Sequence, residues 1–146
     1  MKMMKTNIIL LFFALVVSQG AVAQDSAIQW YSIEEAQVLA QENAKPIFVD
    51  FTAVWCGWCK KMDQTTFADA KVVKVMNEGY YPVRLDVDNG DTFVFGGTST
   101  TAKSMAQSMG VTGLPTMVVI APSMESHHSI AGYQKPAQFI RSLREL

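Results

Sequence analysis

Apolar residues in this chain fall into short runs typical of β-strands, separated by longer stretches with helical spacing. Residues 47–51 form one such run, and their β-branched and aromatic side chains suit a strand buried on both faces. Residues 116–120 form a second apolar run. Residues 80–87 alternate between apolar and charged positions, which is typical of a strand with one face in the core. The pattern also predicts an edge strand over residues 126–132.

Helix signals occupy the stretches between these strands. Ser32 and Glu35 match an S-x-x-E capping box, and apolar residues then follow helical spacing to about Asn43, before Pro46 forbids continuation. Further helices are predicted to begin at or beside Cys56, Asp69, Ala102 and Pro136. Strands that alternate with helices and end in antiparallel strands predict an α/β sandwich.

Residues 1–23 have the three parts of a cleavable signal peptide. Two lysines form a basic region, residues 8–17 are an uninterrupted apolar core, and residues 21–23 match an A-x-A cleavage site. So short an apolar run is poorly suited to spanning a bilayer, although an uncleaved membrane anchor is the alternative. We therefore expect residues 24–146 to form the mature chain, as a single domain.

The charge of the chain carries little information about partners. The 146 residues have a formal net charge of −1, and removing residues 1–23 takes away two lysines and no acids. The mature chain is therefore slightly more acidic. This balance gives no support for nucleic-acid binding, which needs a basic surface.

Cys56 and Cys59 are the only cysteines, and they are three positions apart. A disulfide across so short a loop removes little chain entropy, so a purely structural role is weak. At the start of a helix the first thiol would be stabilised as a thiolate by the helix dipole and free N–H groups. These features predict that an exposed Cys56 attacks a substrate disulfide and that a shielded Cys59 resolves the mixed disulfide.

A zinc site is the alternative for the two cysteines. Zinc in structural sites takes four ligands, and the other good candidates are His127 and His128. Because neighbouring residues of a strand point to opposite faces, both histidines could hardly join one site. The sequence therefore predicts no metal centre.

The sequence F-V-D-F followed by W-C-G-x-C-K resembles the thioredoxin family, with a departure at Trp58, where that family carries proline. The longer pattern C-x-x-C-K-K-M-D-x-x-T-F-x-D resembles exported thioredoxin-like proteins and the C-terminal periplasmic domain of DsbD. The resemblance runs from about Trp30 to the C-terminus. It implies a thioredoxin fold, with a central mixed β-sheet flanked by helices on both faces. It implies no metal, flavin or nucleotide cofactor.

The resemblance also implies roles for residues outside the cysteine pair. Asp50 would lie behind Cys59, with a pKa raised by burial, and would deprotonate that thiol; a structural acid is the alternative. Arg84 stands where thioredoxins have a lysine near the buried acid, and a solvated charge on the strand face is equally open. Pro115 would be a cis proline facing the disulfide, and the backbone of Leu114 would pair with an extended client segment.

Two further regions are predicted to contact partners or the fold itself. Trp55, Gly57 and Trp58 flank the thiols and are expected to contact the client, although packing within the fold is the alternative for the tryptophans. Trp30 is expected to be a packing residue. Residues 89–101 are longer than in ordinary thioredoxins and predict an inserted loop or small hairpin, whose aromatic residues contact partners or cover the fold's own apolar surface.

Together these features predict a periplasmic or secreted thiol–disulfide oxidoreductase that reduces protein disulfides. The expected partners are disulfide-bearing client proteins and a membrane-bound thiol reductant donor, and the protein is expected to be a monomer. The alternatives are a binding module or chaperone with this fold, or an oxidase or isomerase.

The signal peptide generates the first testable prediction. Cleavage after Ala23 should give a mature N-terminus at Gln24, because the basic, apolar and small-residue regions occur in the required order. N-terminal sequencing or intact mass of periplasmic material checks this outcome. A full-length chain retained in the membrane would contradict it.

Overall fold

A computed structural model describes residues 25–146, so the predicted signal peptide lies outside the described residues. The helices are α1 (Ile33–Glu42), α2 (Gly57–Thr65), α3 (Ala70–Gly79), α4 (Ala102–Ser108) and α5 (Pro136–Arg144). The strands are β1 (Ile47–Thr52), β2 (Tyr81–Asp86), β3 (Thr92–Phe95), β4 (Thr98–Thr101), β5 (Thr116–Ile120) and β6 (His127–Ala131). No helix among these residues is long and apolar enough to cross a membrane.

Four strands form the central sheet, in the order β2-β1-β5-β6. β1 runs parallel to β2 and antiparallel to β5, and β5 runs antiparallel to β6. The sheet is therefore mixed, as the sequence predicted. The register places Asp50, in the middle of β1, between Arg84 of β2 and Met117 of β5.

Helices cover both faces of this sheet, which confirms the predicted architecture. On one face, α1 and α4 pack against alternate residues of β1, among them Ile47, Val49 and Phe51. On the other face, α2, α3 and α5 pack around Phe48. Because successive strand side chains point to opposite faces, Asp50 lies on the same face as Phe48, beneath α2.

Phe48 is the centre of the core on the α2 side. Its fully buried ring makes edge-to-face contacts with Phe67, Tyr80 and Phe139, at centroid distances of 5.8–6.3 Å. Aromatic pairs in this geometry contribute roughly 0.5–1.5 kcal/mol beyond the burial of their area. This cluster joins α3 and α5 to β1 and fixes the strand that precedes the cysteine pair.

Local capping explains where several helices begin. The Ser32 side chain accepts a hydrogen bond from the Glu35 N–H, and Glu35 reaches back to the Ser32 N–H, so the predicted capping box is confirmed. Asp69 caps α3 as predicted, accepting from the N–H groups of Lys71 and Val72. Pro136 occupies the first turn of α5, where its missing N–H costs nothing.

Residues 92–101 form a two-stranded hairpin, β3 and β4, beside α1. Gly96 and Gly97 make its turn with φ angles of 56° and 79°, which glycine adopts readily and which match the twist of a two-residue hairpin. Phe93 and Phe95 pack against the core on the α1 and α4 side. Of the two interpretations of these aromatic residues, the structure supports covering the fold's own apolar surface.

The side chain of Gln37, in α1, fastens the hairpin to the domain. Its Nε2 donates to the carbonyl of Val94 at 2.8 Å, and its Oε1 accepts from the N–H of Gly96 at 2.8 Å. One glutamine therefore satisfies two backbone groups at the edge of the hairpin.

Replacing Gln37 with alanine should loosen the hairpin. We expect Gln37→Ala to lose about 1–3 kcal/mol of unfolding free energy and to speed hydrogen exchange at the Gly96 amide, because two hydrogen bonds disappear. Gln41→Ala is the matched control, since Gln41 is exposed on the same helix and gains the same helix propensity. Equal stability and equal Gly96 exchange in the two variants would contradict the assigned role.

Candidate active site

Cys56 is the N-cap residue of α2, directly after the loop that leaves β1. Its N–H donates to the carbonyl of Ala53 at 3.0 Å, which closes a tight turn. Its Sγ accepts a hydrogen bond from the N–H of Cys59 at 3.1 Å. The sulfur therefore lies at the positive end of the helix, where a free N–H stabilises a thiolate.

Cys56 and Cys59 form a disulfide, with Cα atoms 5.3 Å apart. Each residue is only 4% exposed, and Ala53, Val87 and Leu114 pack against the pair. Cys59 is shielded as predicted, but the expected exposure of Cys56 is wrong for the disulfide state. The reason is that the Cys56 sulfur is bonded to Cys59 and the pair is covered by these three apolar side chains.

The loop before β5 lies against the disulfide. The Leu114–Pro115 peptide bond is cis, which confirms the expectation for Pro115, and Leu114 contacts the cysteine pair. The Thr116 hydroxyl donates to the Gly113 carbonyl at 2.7 Å, and the Gly132 N–H donates to the Pro115 carbonyl at 2.8 Å. The first hydrogen bond ties the loop to the start of β5, and the second ties it to the residue that follows β6.

Exposed apolar side chains surround the cysteine pair. Val54, Trp55 and Trp58 are 71%, 67% and 62% exposed. The Trp55 indole N–H donates to Asp88 Oδ2 at 2.6 Å, and the Trp58 ring lies 5.4 Å from the ring of Tyr133. Neither tryptophan is a core residue, so packing inside the fold does not explain them. We call Val54, Trp55 and Trp58 the apolar rim.

A shallow groove of about 300 Å³ adjoins the apolar rim. Trp55, Val87 and Leu114 line its end near the disulfide, and Lys103 of α4 lines it as well. Gly57, the residue between Cys56 and Trp58, has nothing within 4 Å of the position that a Cβ would occupy. The surface beside the disulfide is therefore open enough to receive an extended segment.

Asp50 is 3% exposed and lies on the α2 side of the sheet. Burial raises its pKa from 3.8 to about 6, although the positive charge and hydrogen bond of Arg84 act in the opposite direction. Arg84 Nε donates to Asp50 Oδ2 at 3.0 Å. Of the two interpretations left open for Arg84, the structure supports the partner of the buried acid over a solvated charge.

The sequence did not predict two contacts that Arg84 makes beside Asp50. Asp63 in α2 accepts a hydrogen bond from Arg84 Nη2, and the Arg84 guanidinium lies 4.1 Å from the ring centroid of Trp30. Trp30 therefore packs, as expected, but against the charged group beside Asp50. The signal for Asp63 was its position four residues after Cys59, on the same helix face. No local signal pointed to Trp30.

The zinc alternative finds no support among residues 25–146, where no group of three or more potential ligands could hold a metal ion. His127 and His128 are exposed neighbours on β6, and they pair with Ile120 and Val119 of β5. Both cysteines are committed to the disulfide.

Comparisons with known proteins agree with this geometry. A family model described as a thioredoxin-like domain matches residues 33–146. The thiol:disulfide interchange protein DsbD of Salmonella typhi is 30% identical over 115 residues, which cover 75% of this chain and 18% of that protein. The chain spans less than a fifth of the length of the DsbD proteins that it matches.

Solved structures with similar folds include a DsbH oxidoreductase and the C-terminal domain of a DsbD protein. The structure of the DsbH oxidoreductase has a TM-score of 0.67 at 20% identity, covering 88% of this chain and 90% of that chain. The oxidised C-terminal domain of Neisseria meningitidis DsbD has a TM-score of 0.61 at 21% identity, covering 80% of this chain and 98% of that chain. These similarities establish the fold, and the family model covers most of the sequence. The chain belongs to the thioredoxin-like domain family.

Proposed function

We propose that this protein is an exported thiol–disulfide oxidoreductase that reduces protein disulfides through Cys56 and Cys59. The thioredoxin-like fold, the Cys-x-x-C pair and the DsbD and DsbH relatives support the oxidoreductase activity. The observation that carries the proposal is the disulfide at the start of α2, which lies beside the cis-proline loop and inside an exposed apolar rim.

The reaction begins from the reduced pair. The Cys56 thiolate attacks one sulfur of a client disulfide, which forms a mixed disulfide and releases the other client sulfur as a thiolate. Cys59 then loses its proton and attacks Cys56 Sγ. The Cys56–client bond breaks, the second client sulfur leaves, and the Cys56–Cys59 disulfide forms. Two electrons have passed from the protein to the client.

Asp50 is the proton acceptor for Cys59 in this scheme. It lies on the α2 side of β1, and its pKa of about 6 leaves most of the carboxyl ionised at neutral pH. A base whose pKa lies near the working pH accepts and returns a proton most effectively. The low polarity around Asp50 raises its pKa towards that range.

The apolar rim and the loop at Leu114 and Pro115 form the client-binding surface. An extended client segment would lie along the backbone of Leu114, with apolar side chains against Trp55 and Trp58. Such contacts suit unfolded or partly folded clients, whose apolar residues are accessible. Gly57 keeps the approach to Cys56 open, because it places no side chain there.

The charges around the pair support the reducing direction. Strong oxidants of this kind have a very acidic nucleophilic thiol. Gly57 and Trp58, the residues between the cysteines, supply no cation and no imidazole to stabilise a Cys56 thiolate. The ionised Asp50 would disfavour a thiolate by repulsion of like charges. A membrane-bound thiol donor in the periplasm would restore the dithiol, and we propose that the protein works as a monomer.

A chaperone or binding module is the second candidate, favoured by the exposure of Val54, Trp55 and Trp58. Binding alone leaves no use for two cysteines at a helix start. The two candidates differ in their dependence on the thiols, because a binding module would work without them.

The cysteine variants test the proposed function. Cys56→Ser should lose insulin-disulfide reduction down to the background rate, because the thiol that attacks the client is absent. Cys59→Ser should still attack and should accumulate a covalent complex with the client, because the resolving thiol is absent. Mass spectrometry of the quenched reaction detects that complex. Full binding of an unfolded client by both variants, without any reduction by the native protein, would favour the binding module.

Redox titration of the native protein against dithiothreitol decides the direction. A potential near that of thioredoxin, about −270 mV, is expected for a reductase. A potential near about −120 mV would make the protein an oxidase.

Asp50 gives a prediction about pH. The raised pKa means that the folded protein binds this proton more tightly than the unfolded chain, so stability falls as pH rises from about 4 to about 6. Asp50→Asn should remove this loss and gain up to about 3 kcal/mol at pH 8, with no gain below pH 4. It should also slow resolution of the mixed disulfide about tenfold, without slowing its formation.

Denaturant unfolding at several pH values, together with stopped-flow kinetics, measures both effects. Asp91→Asn is the control, because Asp91 is exposed and the variant makes the same change in net charge. A slower first attack with unchanged resolution would contradict the role of Asp50.

A further inference from the structure

The guanidinium of Arg84 is shared between two carboxylates. Its Nε donates to Asp50 Oδ2 at 3.0 Å, and its Nη2 donates to Asp63 Oδ1. These two nitrogens form one edge of the guanidinium, the edge that can grip both oxygens of a single carboxylate in a bidentate contact. Here that edge is divided, so Asp50 receives only one of the two hydrogen bonds.

The division leaves Asp50 Oδ1 buried without a hydrogen-bond partner among the described residues. A buried polar atom in this state costs roughly 1–3 kcal/mol. A bidentate contact with Arg84 would remove the cost, and the guanidinium is already in place. No described residue donates to this oxygen, and an oxygen without a protein donor is able to accept a proton.

The surroundings of Asp50 hold this arrangement in place. The Arg84 guanidinium lies 4.1 Å from the ring centroid of Trp30 and 5.7 Å from that of Phe67, so its plane is fixed by aromatic contacts. The charged groups around Asp50 are Arg84 of β2 and Asp63 of α2. Met117, its neighbour on β5, is apolar. The core residues of α3 and α5 on this face are also apolar.

Asp63 is placed to act on the site from α2. It lies four residues after Cys59, so the two residues share one face of the helix. Its side chain is 41% exposed and reaches Arg84 from the surface. One helix therefore carries both the resolving cysteine and the carboxylate that competes for Arg84.

We propose that Asp63 is a positioning residue, which draws one nitrogen of Arg84 to itself and so leaves Asp50 Oδ1 free to take the proton of Cys59. This inference rests on the proposed function, in which Asp50 is the proton acceptor. During resolution the Cys59 proton moves to Oδ1, the Cys59 sulfur bonds to Cys56 Sγ, and the client sulfur leaves with the electron pair of the broken bond. The Asp50 proton returns to solvent before the next cycle.

Removing the charge of Asp63 should lower the pKa of Asp50 for two reasons. The negative charge of Asp63 raises the pKa of Asp50, so its loss lowers that pKa. Arg84 is also released to grip both oxygens of Asp50, which stabilises the ionised form further. A more stable carboxylate is a poorer proton acceptor.

The test compares Asp63→Asn with Asp63→Glu in the full mature chain. The first readout is the titration midpoint of the Asp50 carboxyl carbon, followed by NMR in the disulfide form. We expect Asp63→Asn to lower this midpoint by about one pH unit. Asp63→Glu should keep it near the native value. Asp91→Asn, which makes the same change in net charge at an exposed residue that is not a partner of Arg84, should leave it unchanged.

The second readout is the rate of resolution against pH, measured with a synthetic disulfide-bonded peptide as the client. For Asp63→Asn, the acid limb of this profile should shift to lower pH together with the midpoint of the Asp50 carboxyl titration. The plateau rate should fall about threefold. Formation of the mixed disulfide should be unaffected. If Asp63 had only a structural role, Asp63→Asn would lower the melting temperature. The Asp50 titration midpoint and the midpoint of the rate profile would then stay unchanged.

An unchanged or raised Asp50 midpoint in Asp63→Asn would overturn the inference, and so would a lowered midpoint with an unmoved rate profile. Failure of the proposed function looks different. In that case the native protein would not reduce the peptide at any pH, whereas the carboxyl titration would still report whether Asp63 controls Asp50.

Discussion

A carboxyl group buried in the middle of the central sheet is the constraint on which this site depends. Asp50 is flanked by β2 and β5 and is 3% exposed, so water solvates its charge poorly. The parallel pairing of β1 with β2 places Arg84 directly beside it, and this cation makes the ionised form tolerable. The pKa of Asp50 stays raised, which shows that Arg84 compensates the buried charge only in part. Partial compensation keeps the group able to gain and lose a proton near neutral pH.

The same strand also delivers the cysteine pair. β1 carries Asp50, and the chain then turns through Ala53 and places Cys56 at the start of α2. The aromatic cluster around Phe48 anchors this strand on the face that α2 covers. The position of the acid relative to the thiols is therefore set by one continuous strand–turn–helix unit. Under the proposed function, a proton acceptor and a nucleophile on separate mobile loops would lack this control.

Features with local signals could be predicted from the sequence, and features that depend on packing between distant segments could not. Capping residues such as Ser32 and Asp69 located helix starts, and the resemblance at Pro115 implied the cis bond. Arg84 stayed open because a strand-face cation looks the same whether it meets water or a buried acid. Its partner was decided by the register between β1 and β2. The burial of Cys56 depends on Val87 and Leu114, which are far away in sequence.

The departures from ordinary packing are concentrated around the disulfide. Three of the six large apolar side chains that are exposed in residues 25–146 are Val54, Trp55 and Trp58. The buried carboxyl with an unpartnered oxygen lies in the adjoining strand. Away from this region α1, α3 and α4 have side-chain caps at their starts, and the helices bury apolar faces. Exposed apolar groups and a buried acid both cost stability, and proteins retain such costs mainly where function requires them. Both kinds of cost occur within residues 50–59, the stretch that contains Cys56 and Cys59, and a disulfide used only as a staple would not require either of them.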